Sequence, residues 1–482
     1  MTAKSYDIVV IGGGPAGLAA AAVAAAGQAR VLLIDASEAL GGHYYKSLPD
    51  AFAQSPSRQD NEKSKALQTR LALLSRHKVE VLHNTKVWGI FRGTETTFGG
   101  GEIPLTASEN NTFTLYLDPP HAVESPILII ATGVYDRPIP FPGWTLPGVL
   151  TPGGAQMLIK KQGLLPGRRA IVAGTGPLQL AVAATLASEG AQVIALVDPG
   201  AATAGLFLMP GAMWGQWGRL RESAGYLRSL LQHRVPMLFR HAVFRAVGAP
   251  ASGVQGAVIG RVDKEGHPIR GSEQLLEADL ICSAYGFAPS IALTLHLGCA
   301  HDFDPRLYAY VPCYDERMQT DLDGVFVAGD VTGVGGQPLA ELQGRVAGIS
   351  ALEFLGVLSG QEADTRRRKL QPFIKRERRF ANMIWRRWQI KQGYFGLVDD
   401  ETLVCRCEGV TAGQIRQSCA AGAHNLFSAK LRTRLGMGVC QGRYCTVNAA
   451  MLLAQAMNCS ITELGLPSIR PPIVPVRLKD IV

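Results

Sequence analysis

The sequence predicts an α/β fold in which one βαβ-based domain is inserted into another, followed by a small and mostly helical domain. Two glycine-rich turns about 160 residues apart, each between an apolar strand and an apolar helix, predict the two βαβ units. Two short-spaced cysteine pairs near the C-terminus predict the third domain. A chain of 482 residues has room for about two to four domains of ordinary size.

The first βαβ unit begins with the apolar run Ile8 to Ile11, which is followed by Gly12-x-Gly14-x-x-Gly17 and an alanine-rich helix. A second apolar run, Val31 to Ile34, ends on Asp35, 21 positions after Gly14. This order and spacing are those of the Rossmann dinucleotide-binding fingerprint. The phosphates are expected at the helix N-terminus, where free N–H groups favour negative charge, and Asp35 is expected to bind the ribose hydroxyls.

The second βαβ unit has the same design but departs from the fingerprint at one position. Gly174 and Gly176 follow an apolar strand, and the next strand ends on Asp198, but Gln179 stands where the third glycine belongs. A side chain there is expected to hold helix and strand apart or to crowd a pyrophosphate. The fold is therefore expected, while binding of NAD or ATP at Gly174, Gly176 and Asp198 is left open. NADP is disfavoured because no arginine follows Asp198.

Composition limits the compartment and the class of partner. The net charge of +9 suggests an acidic partner, an anionic substrate or a membrane surface, and no nucleic-acid-binding module accompanies it. Nine cysteines, an odd number with five between Cys405 and Cys445, argue against a secreted disulfide framework. No stretch is expected to span a membrane. The expected location is the cytoplasm, with peripheral attachment at the inner membrane left open.

Between residues 366 and 391 the chain has eleven Lys or Arg and one acid, Glu377. Apolar residues recur there at spacings of seven, four and four, which predicts an amphipathic helix that is basic outside and aromatic inside. Two interpretations are open for it: a solvated linker helix packed on the body, or a docking surface for another protein of the same complex. The apolar positions are Phe373, Phe380, Ile384 and Trp388.

The cysteine pairs indicate a site of four thiolates. Cys405-x-Cys407 is followed, after 32 residues, by Cys440-x₄-Cys445. Iron–sulfur clusters are typically held by four thiolates, and structural zinc is the alternative. The single residue between Cys405 and Cys407 is tight for tetrahedral zinc. The other cysteines are isolated in sequence and are expected to be packing residues rather than ligands: Cys282, Cys299, Cys313, Cys419 and Cys459.

Two further strand-to-turn motifs identify a family resemblance. One apolar strand runs into Ala131-Thr132-Gly133, and another runs into Gly329-Asp330 some 300 residues after the first fingerprint. Together with the fingerprint these motifs resemble the two-dinucleotide-binding-domain flavoproteins, which include glutathione and thioredoxin reductases. The resemblance implies a discontinuous FAD domain in which Asp330 hydrogen-bonds the ribityl chain. The FAD-binding residues are then expected to be Gly12, Gly14, Pro15, Ala16, Gly17, Asp35, Gly42, His43, Val87, Ala131, Thr132, Gly133, Gly329 and Asp330.

Over nearly the whole chain the motifs GGGPAG, GGHYYK, ATGVYDRPIPFPGWTLPGV, GTGPLQ, VFVAGD, CRCE and GMGVCQGRYC resemble a narrower group. This is the large FAD and 2Fe–2S subunit of bacterial hetero-oligomeric amine dehydrogenases, such as opine oxidases, D-hydroxyproline dehydrogenase and hydrogen cyanide synthase. The resemblance implies a smaller amino-acid-oxidase-like flavoprotein partner, with or without a third small subunit. It also implies that electrons pass to a dye or a respiratory-chain acceptor rather than to NAD. The cysteine domain resembles bacterioferritin-associated ferredoxin, whose second pair is C-x₂-C instead of C-x₄-C.

The expected domains are residues 1–150 with 290–360 for FAD, 151–289 for the inserted domain, 361–398 for the basic linker, and 399–482 for the 2Fe–2S domain and tail. A hairpin turn is expected at Gly99 to Glu102. No C-x-x-C lies in either nucleotide domain, so disulfide exchange is not expected. Two alternatives stay open: a self-sufficient NAD(P)H-dependent reductase, and a scaffold subunit with a structural cluster and a static nucleotide.

Overall fold

The computed structural model describes residues 3–45, 58–93, 112–201, 213–466 and 469–477. The hairpin expected at Gly99 to Glu102, and Lys46 of the GGHYYK motif, lie outside these ranges. The mixed α/β fold expected from the sequence is confirmed, with a Rossmann-like domain at the N-terminus.

The first third of the chain forms the first βαβ unit and, beside it, a four-stranded sheet in which the β1–β7 pair is parallel and the other pairs are antiparallel. Its elements are β1 Lys4–Ser5, β2 Ile8–Ile11, α1 Pro15–Ala26, β3 Val31–Ile34, α2 Arg58–Arg76, β4 Glu80–Leu82, β5 Lys86–Arg92, β6 Phe113–Asp118, β7 His121–Ser125 and β8 Leu128–Ile130.

The middle of the chain leaves this unit and builds the second one. Its elements are β9 Val134–Asp136, β10 Val149–Leu150, α3 Pro152–Gln162, β11 Arg169–Thr175, α4 Leu178–Ser188, β12 Gln192–Asp198, α5 Trp217–Gln232, β13 Met237–Phe239, β14 His241–Ala249, β15 Gly253–Arg261, β16 Gln274–Glu277, β17 Leu280–Tyr285 and β18 Phe287–Pro289.

The last third returns to the first unit, then forms a long helix and the cysteine-containing segment. Its elements are α6 Ala292–His296, β19 His301–Asp304, β20 Ala309–Pro312, β21 Val325–Val327, α7 Gln337–Phe354, α8 Gly360–Arg387, β22 Leu403–Cys405, β23 Val410–Thr411, α9 Ala412–Ala420, α10 Leu426–Thr433 and α11 Thr446–Met457, with 3₁₀ turns at Gly329–Thr332, Gln392–Leu397 and Ile461–Leu464.

Two parallel five-stranded sheets form the centres of the two units. The first has the order β21-β8-β2-β3-β4, so a strand from residue 325 onward pairs beside strands from the first 130 residues. The second has the order β10-β17-β11-β12-β13. The first four strands in the order of the first sheet are apolar and buried, as expected for a parallel sheet covered on both faces. The carboxyl ends of the parallel strands therefore meet at one edge of each sheet.

Small residues allow the helices of the first unit to pack closely. A β-carbon on Gly17 would lie 1.8 Å from the Gly12 carbonyl oxygen, and one on Gly344 would lie 2.0 Å from the Ala16 carbonyl oxygen. Helices α1 and α7 pack against each other through Ala16 and Gly344, whereas Gly17 packs against the loop before α1. The third glycine of the fingerprint is thus required by the fold itself, whether or not a ligand is bound.

Helix α8 is the predicted basic helix, and one of its predicted inner residues lies outside. Ile374, Ile384 and Trp385 are buried, but the side chain of Phe373 is 49% exposed. Phe373 is adjacent to Pro372 in the middle of the helix, where the face turned to the body is filled by Ile374 and Glu377 instead.

The apolar residues of the cysteine segment, on α9, α10, α11 and β23, form one core cluster together with Ile139 and Tyr285 from earlier in the chain. The chain after this core returns to the first unit: the Ile473 N–H donates to the Trp88 carbonyl 2.9 Å away, and Ile473 is buried. Trp144, which packs in the core of the second unit, also contacts the cysteine segment, since its indole N–H donates to the Leu403 carbonyl at 2.6 Å.

Candidate functional site

A cleft of about 2190 Å³ runs between the two βαβ units, with walls from α1, α4, α5 and α7. Every residue expected to bind FAD lines this cleft except Gly17, which lies buried below it. The residues expected to bind a second nucleotide, Gly174, Gly176 and Asp198, do not line it. The cleft is large compared with typical ligand pockets of roughly 300–1,000 Å³.

The fingerprint loop is held in shape by Asp35. Gly12 has φ +108°, a conformation that favours glycine and turns the chain out of β2. Asp35 Oδ2 accepts a hydrogen bond from the Gly13 N–H, and Oδ1 accepts one from the Ser37 N–H, both at 2.6 Å. The buried Asp35 carboxylate therefore lies at the cleft end of the loop and fixes its shape.

The N-terminus of α1 opens into the cleft without a side-chain cap. Gly14 occupies the N-cap position, no side chain accepts from the first N–H groups, and the first turn has no acidic residue. These N–H groups and the helix dipole favour an anion at this place. The arrangement matches the expected seat of a pyrophosphate.

On the facing wall, Asp330 organises the start of α7. Its Oδ1 accepts hydrogen bonds from the Gly335 and Gly336 N–H groups, both at 3.0 Å. Burial raises the pKa of Asp330, while these hydrogen bonds and the charge of Arg219 oppose that rise. Gly336 caps α7 without a side-chain hydrogen bond, so a second uncapped helix N-terminus faces the cleft.

Helix α5 supplies cleft residues that sequence reasoning missed. Arg219, Glu222 and Tyr226, at positions i, i+3 and i+7, all line the cleft. Their repeat on one face of the helix could have indicated a polar surface, but no sequence feature indicated that this helix would lie beside the first unit.

In the second βαβ unit, the positions that would contact a dinucleotide are contacted by side chains of the protein. Gln179 is buried and its Nε2 donates to the Ala284 carbonyl at 3.2 Å. Asp198 accepts at Oδ1 from the Gly200 N–H at 2.7 Å and at Oδ2 from the Trp388 indole N–H at 3.3 Å. Burial raises the pKa of Asp198. The position equivalent to the ribose-binding acid is therefore covered by the chain just after α8.

The four predicted cysteine ligands come together. The Cys445 thiol hydrogen-bonds to the sulfurs of both Cys405 and Cys440, and Cys440 also contacts Cys407. The bond from Cys445 lowers the pKa of Cys405 to about 6 and that of Cys440 to about 5. The same two hydrogen bonds raise the pKa of Cys445.

Backbone N–H groups also point at these sulfurs. Cys405 receives them from Gly436, Glu408 and Cys407, and Cys440 receives them from Tyr444 and Gly442. Within the described part of the chain, however, no group of three or more His, Cys, Asp or Glu side chains has the arrangement needed to hold a metal ion. The thiols are in mutual contact instead.

The cysteine segment forms part of the cleft wall. Cys440, Arg443 and Tyr444 line the same cleft as the fingerprint loop. The Tyr444 ring packs edge-on against Tyr135, with centroids 5.5 Å apart, and Tyr135 lies just after the Ala131-Thr132-Gly133 turn. The sequence did not indicate this contact, because more than 300 positions separate the two tyrosines.

No helix in the described ranges is long and apolar enough to cross a membrane. The isolated cysteines are all free; Cys282 and Cys299 are buried, and Cys313, Cys419 and Cys459 are partly exposed.

Two family descriptions match parts of the chain. Residues 6–204 match the pyridine nucleotide-disulphide oxidoreductase family, and residues 399–482 match the sarcosine oxidase A3 domain. With the cleft geometry, the first match defines a flavin-dependent oxidoreductase and supports FAD as its cofactor.

Relatives of known name cover almost the full length. The chain is 30% identical over 484 residues to an opine oxidase subunit of Rhizobium meliloti (strain 1021), covering 99% of this chain and 98% of that protein. It is 30% identical over 459 residues to hydrogen cyanide synthase subunit HcnB of Pseudomonas protegens, covering 94% and 92%. The chain therefore belongs to the family of these flavoprotein subunits.

A solved structure agrees at the level of the fold. L-proline dehydrogenase from P. horikoshii superposes with a TM-score of 0.69 at 19% identity, covering 100% of this chain and 81% of that one. At this identity the likeness extends to the fold alone.

Proposed function

We propose that this chain is the electron-transferring subunit of a hetero-oligomeric amine dehydrogenase, with FAD in the cleft and a 2Fe–2S cluster on Cys405, Cys407, Cys440 and Cys445. The observation that carries the proposal is that Cys440 lines the same cleft as the FAD fingerprint. FAD can accept two electrons at once, whereas a 2Fe–2S cluster carries one at a time. A flavin and a cluster that share one cleft could therefore convert two-electron transfer into one-electron transfer.

The residues of the cleft fit FAD. The N-terminus of α1 has no side-chain cap, and a β-carbon on Gly14 would meet nothing closer than the Gly42 Cα at 3.9 Å. The loop is thus open where a pyrophosphate would approach the backbone. Gly12, Pro15 and Ala16, with Asp35, would bind the nucleotide half of FAD.

The remaining expected residues complete the proposed FAD site. Turns after two neighbouring strands, β8 and β21, bring their glycines to the same edge of the sheet, as flavin-binding turns require. Gly17 would act indirectly, by allowing α1 to pack on β2. The other residues of the proposed FAD site that line the cleft are Gly42, His43, Val87, Ala131, Thr132, Gly133, Gly329 and Asp330.

The cysteine loops fit a thiolate-ligated cluster by their chemistry. Four sulfurs from two loops already contact one another, and five backbone N–H groups are directed at two of them. Such N–H donors stabilise negative charge on sulfur and tune a cluster's potential. A bound cluster would separate thiols that now hydrogen-bond to one another.

The names of the relatives support the proposal of a partner and an amine substrate. The opine oxidase relative and the hydrogen cyanide synthase relative HcnB are both named as subunits of larger enzymes. We expect a smaller amino-acid-oxidase-like flavoprotein partner, with or without a third small subunit, that oxidises an opine, a proline or hydroxyproline, or glycine. The electrons would then leave through this chain to a dye or respiratory-chain acceptor.

An acceptor other than NAD is supported by the second βαβ unit. Trp388 covers Asp198, and Gln179 occupies the third glycine position. Both features oppose the usual seat of a nicotinamide dinucleotide. We therefore do not assign a second nucleotide to Gly174, Gly176 and Asp198.

The division into domains is also proposed. Residues 1–150 with 290–360 would form the FAD domain, 151–289 the inserted domain, 361–398 the basic connection and 399–482 the cluster domain with its tail. The return of β21 to the first sheet supports the discontinuous FAD domain, while β10, at Val149–Leu150, already belongs to the sheet of the inserted domain.

The test is an assay of the complex. The chain is co-expressed with a candidate amino-acid-oxidase-like flavoprotein, and amine-dependent reduction of a dye is measured for opines, proline, hydroxyproline and glycine. Cys440→Ser is expected to abolish dye reduction while the complex still assembles, and Cys459→Ser is the matched control. Flavin reduction by NADH at turnover rates would contradict the proposal, and loss of assembly in Cys440→Ser would favour the scaffold alternative.

A further inference from the structure

The inserted domain contributes a positively charged side chain, Arg219, to the wall of the cleft that also contains the fingerprint loop. Arg219 extends from α5 and lines the cleft opposite the fingerprint loop. Its Nη2 atom lies 3.6 Å from where a β-carbon of Gly336 would be, and Gly336 is the N-cap of α7. The guanidinium therefore lies at the uncapped N-terminus of α7, beside the turn that contains Asp330.

Arg219 is held in place from behind by helix α8. Its Nη2 lies 3.0 Å from Glu377 Oε2, and its guanidinium stacks over the Phe380 ring at 4.2 Å from the centroid. The Glu377 side chain is 2% exposed and also pairs with Arg376 and Gln216. A planar guanidinium clamped between a carboxylate and an aromatic ring has little freedom to move.

One nitrogen of the Arg219 guanidinium makes no hydrogen bond within the described part of the chain. Nη1 of Arg219 is buried and has no hydrogen-bond partner among the described residues. A buried N–H without a partner costs free energy, so such a group indicates a missing acceptor. Nη1 itself is covered, but other atoms of the Arg219 side chain, which is 21% exposed, form part of the cleft wall, so the cleft is exposed to the charge of the guanidinium.

We infer that Arg219 is a counter-charge for the flavin ring, contributed by the inserted domain and positioned by Glu377. This inference rests on the proposed FAD site, where Asp330 and the start of α7 face the flavin. A reduced flavin carries negative charge on its pyrimidine half at neutral pH, and a fixed cation at low local dielectric stabilises that charge. The inserted domain would thus tune the flavin electrostatically.

The inference predicts that removing the cation disfavours the reduced flavin. In Arg219→Gln the reduced-to-oxidised ratio at fixed potential is expected to fall about tenfold, which is about 30 mV for a two-electron couple. Sulfite, which adds to oxidised flavin and leaves a negative charge on the ring, is expected to bind about tenfold more weakly. Arg219→Lys keeps the charge and is expected to retain most of both properties.

The matched control is Arg376→Gln, which removes the other arginine paired with Glu377, on the exposed side of α8. Because Arg219→Gln leaves a buried carboxylate with fewer partners, the double variant Arg219→Gln/Glu377→Gln is the second test and is expected to show the same direction of change. Flavin content is measured first, by fluorescence, in every variant.

An unchanged potential and sulfite affinity in either FAD-loaded Arg219→Gln variant would overturn the inference and leave the proposed function standing. An equal fall in flavin potential and sulfite affinity in Arg376→Gln would also overturn the inference, since the effect would then not be specific to the arginine that lines the cleft. If the wild-type chain takes up no FAD, the proposed function fails first, and the inference fails with it.

Discussion

The glycines of the first fingerprint have different tasks, and single alanine substitutions separate them. A β-carbon on Gly17 would lie 1.8 Å from the Gly12 carbonyl oxygen, whereas one on Gly14 would meet only the Gly42 Cα at 3.9 Å. Gly14 also has φ −75°, which any residue can adopt. The protein alone therefore requires glycine at position 17, while only a ligand requires it at position 14.

The expected magnitudes follow from these contacts. Gly17→Ala overpacks backbone against backbone and is expected to cost about 3 kcal/mol of unfolding free energy or more. Gly14→Ala replaces one N-cap residue with a poorer one and is expected to cost less than about 1 kcal/mol. The new methyl group would hold a pyrophosphate away from the loop. Losing one charge-assisted hydrogen bond of about 1.5–3 kcal/mol weakens FAD binding by about 10- to 150-fold.

The assay uses apoprotein. Urea unfolding without FAD measures stability, and quenching of flavin fluorescence measures affinity. The expected pattern is a stable Gly14→Ala variant with weak FAD binding, and a destabilised Gly17→Ala variant. Wild-type affinity in Gly14→Ala would refute the close approach of a phosphate to this loop, and global unfolding of the same variant would refute the open space seen beside Gly14.

Three further predictions concern stability, each measured by urea unfolding. Glu377→Gln leaves Arg219 without its buried carboxylate and is expected to cost about 3 kcal/mol; a cost below about 1 kcal/mol would contradict the buried pair. Burial lowers the pKa of His296 below 6.5, and its Nε2 accepts from the Ile90 N–H at 3.1 Å. The neutral His296 side chain therefore makes its full contribution to the free energy of unfolding above about pH 6.5, and this contribution is lost as the pH falls through the lowered pKa. His296→Gln should make the free energy of unfolding depend less on pH in this range, and an unchanged pH dependence would contradict the prediction. Trp388→Ala removes a buried indole and is expected to cost about 3–5 kcal/mol, with Trp388→Phe costing clearly less; equal costs would contradict the packing argument.

Local patterns predicted the elements of the two βαβ units well. The Ile8–Ile11 run, the fingerprint and Asp35 are close in sequence, and the structure forms β2, α1 and β3 from them. The return of Gly329-Asp330 to this edge was predicted through the family resemblance. Strand pairing over 300 residues has no local signal of its own.

Contacts between distant segments were beyond sequence reasoning. Trp388 was expected to be an inner residue of the basic helix, but the sequence did not indicate that its indole would cover Asp198. The sequence did not indicate a role for Arg219, because its helix belongs to the inserted domain and is distant in sequence from the first unit whose cleft it lines. Phe373 followed the helical spacing yet is exposed, since Glu377 with its arginine partners takes part of the inner face.

The central claim is that flavin and cluster exchange electrons within this chain. The most direct measurement is metal and sulfide analysis of anaerobically purified chain, followed by stepwise photoreduction of its flavin with electron paramagnetic resonance. We expect about two iron atoms and two labile sulfides per chain, and a cluster signal that grows as the flavin is reduced. Zinc in place of iron, or an iron centre that stays oxidised beside a fully reduced flavin, would contradict it.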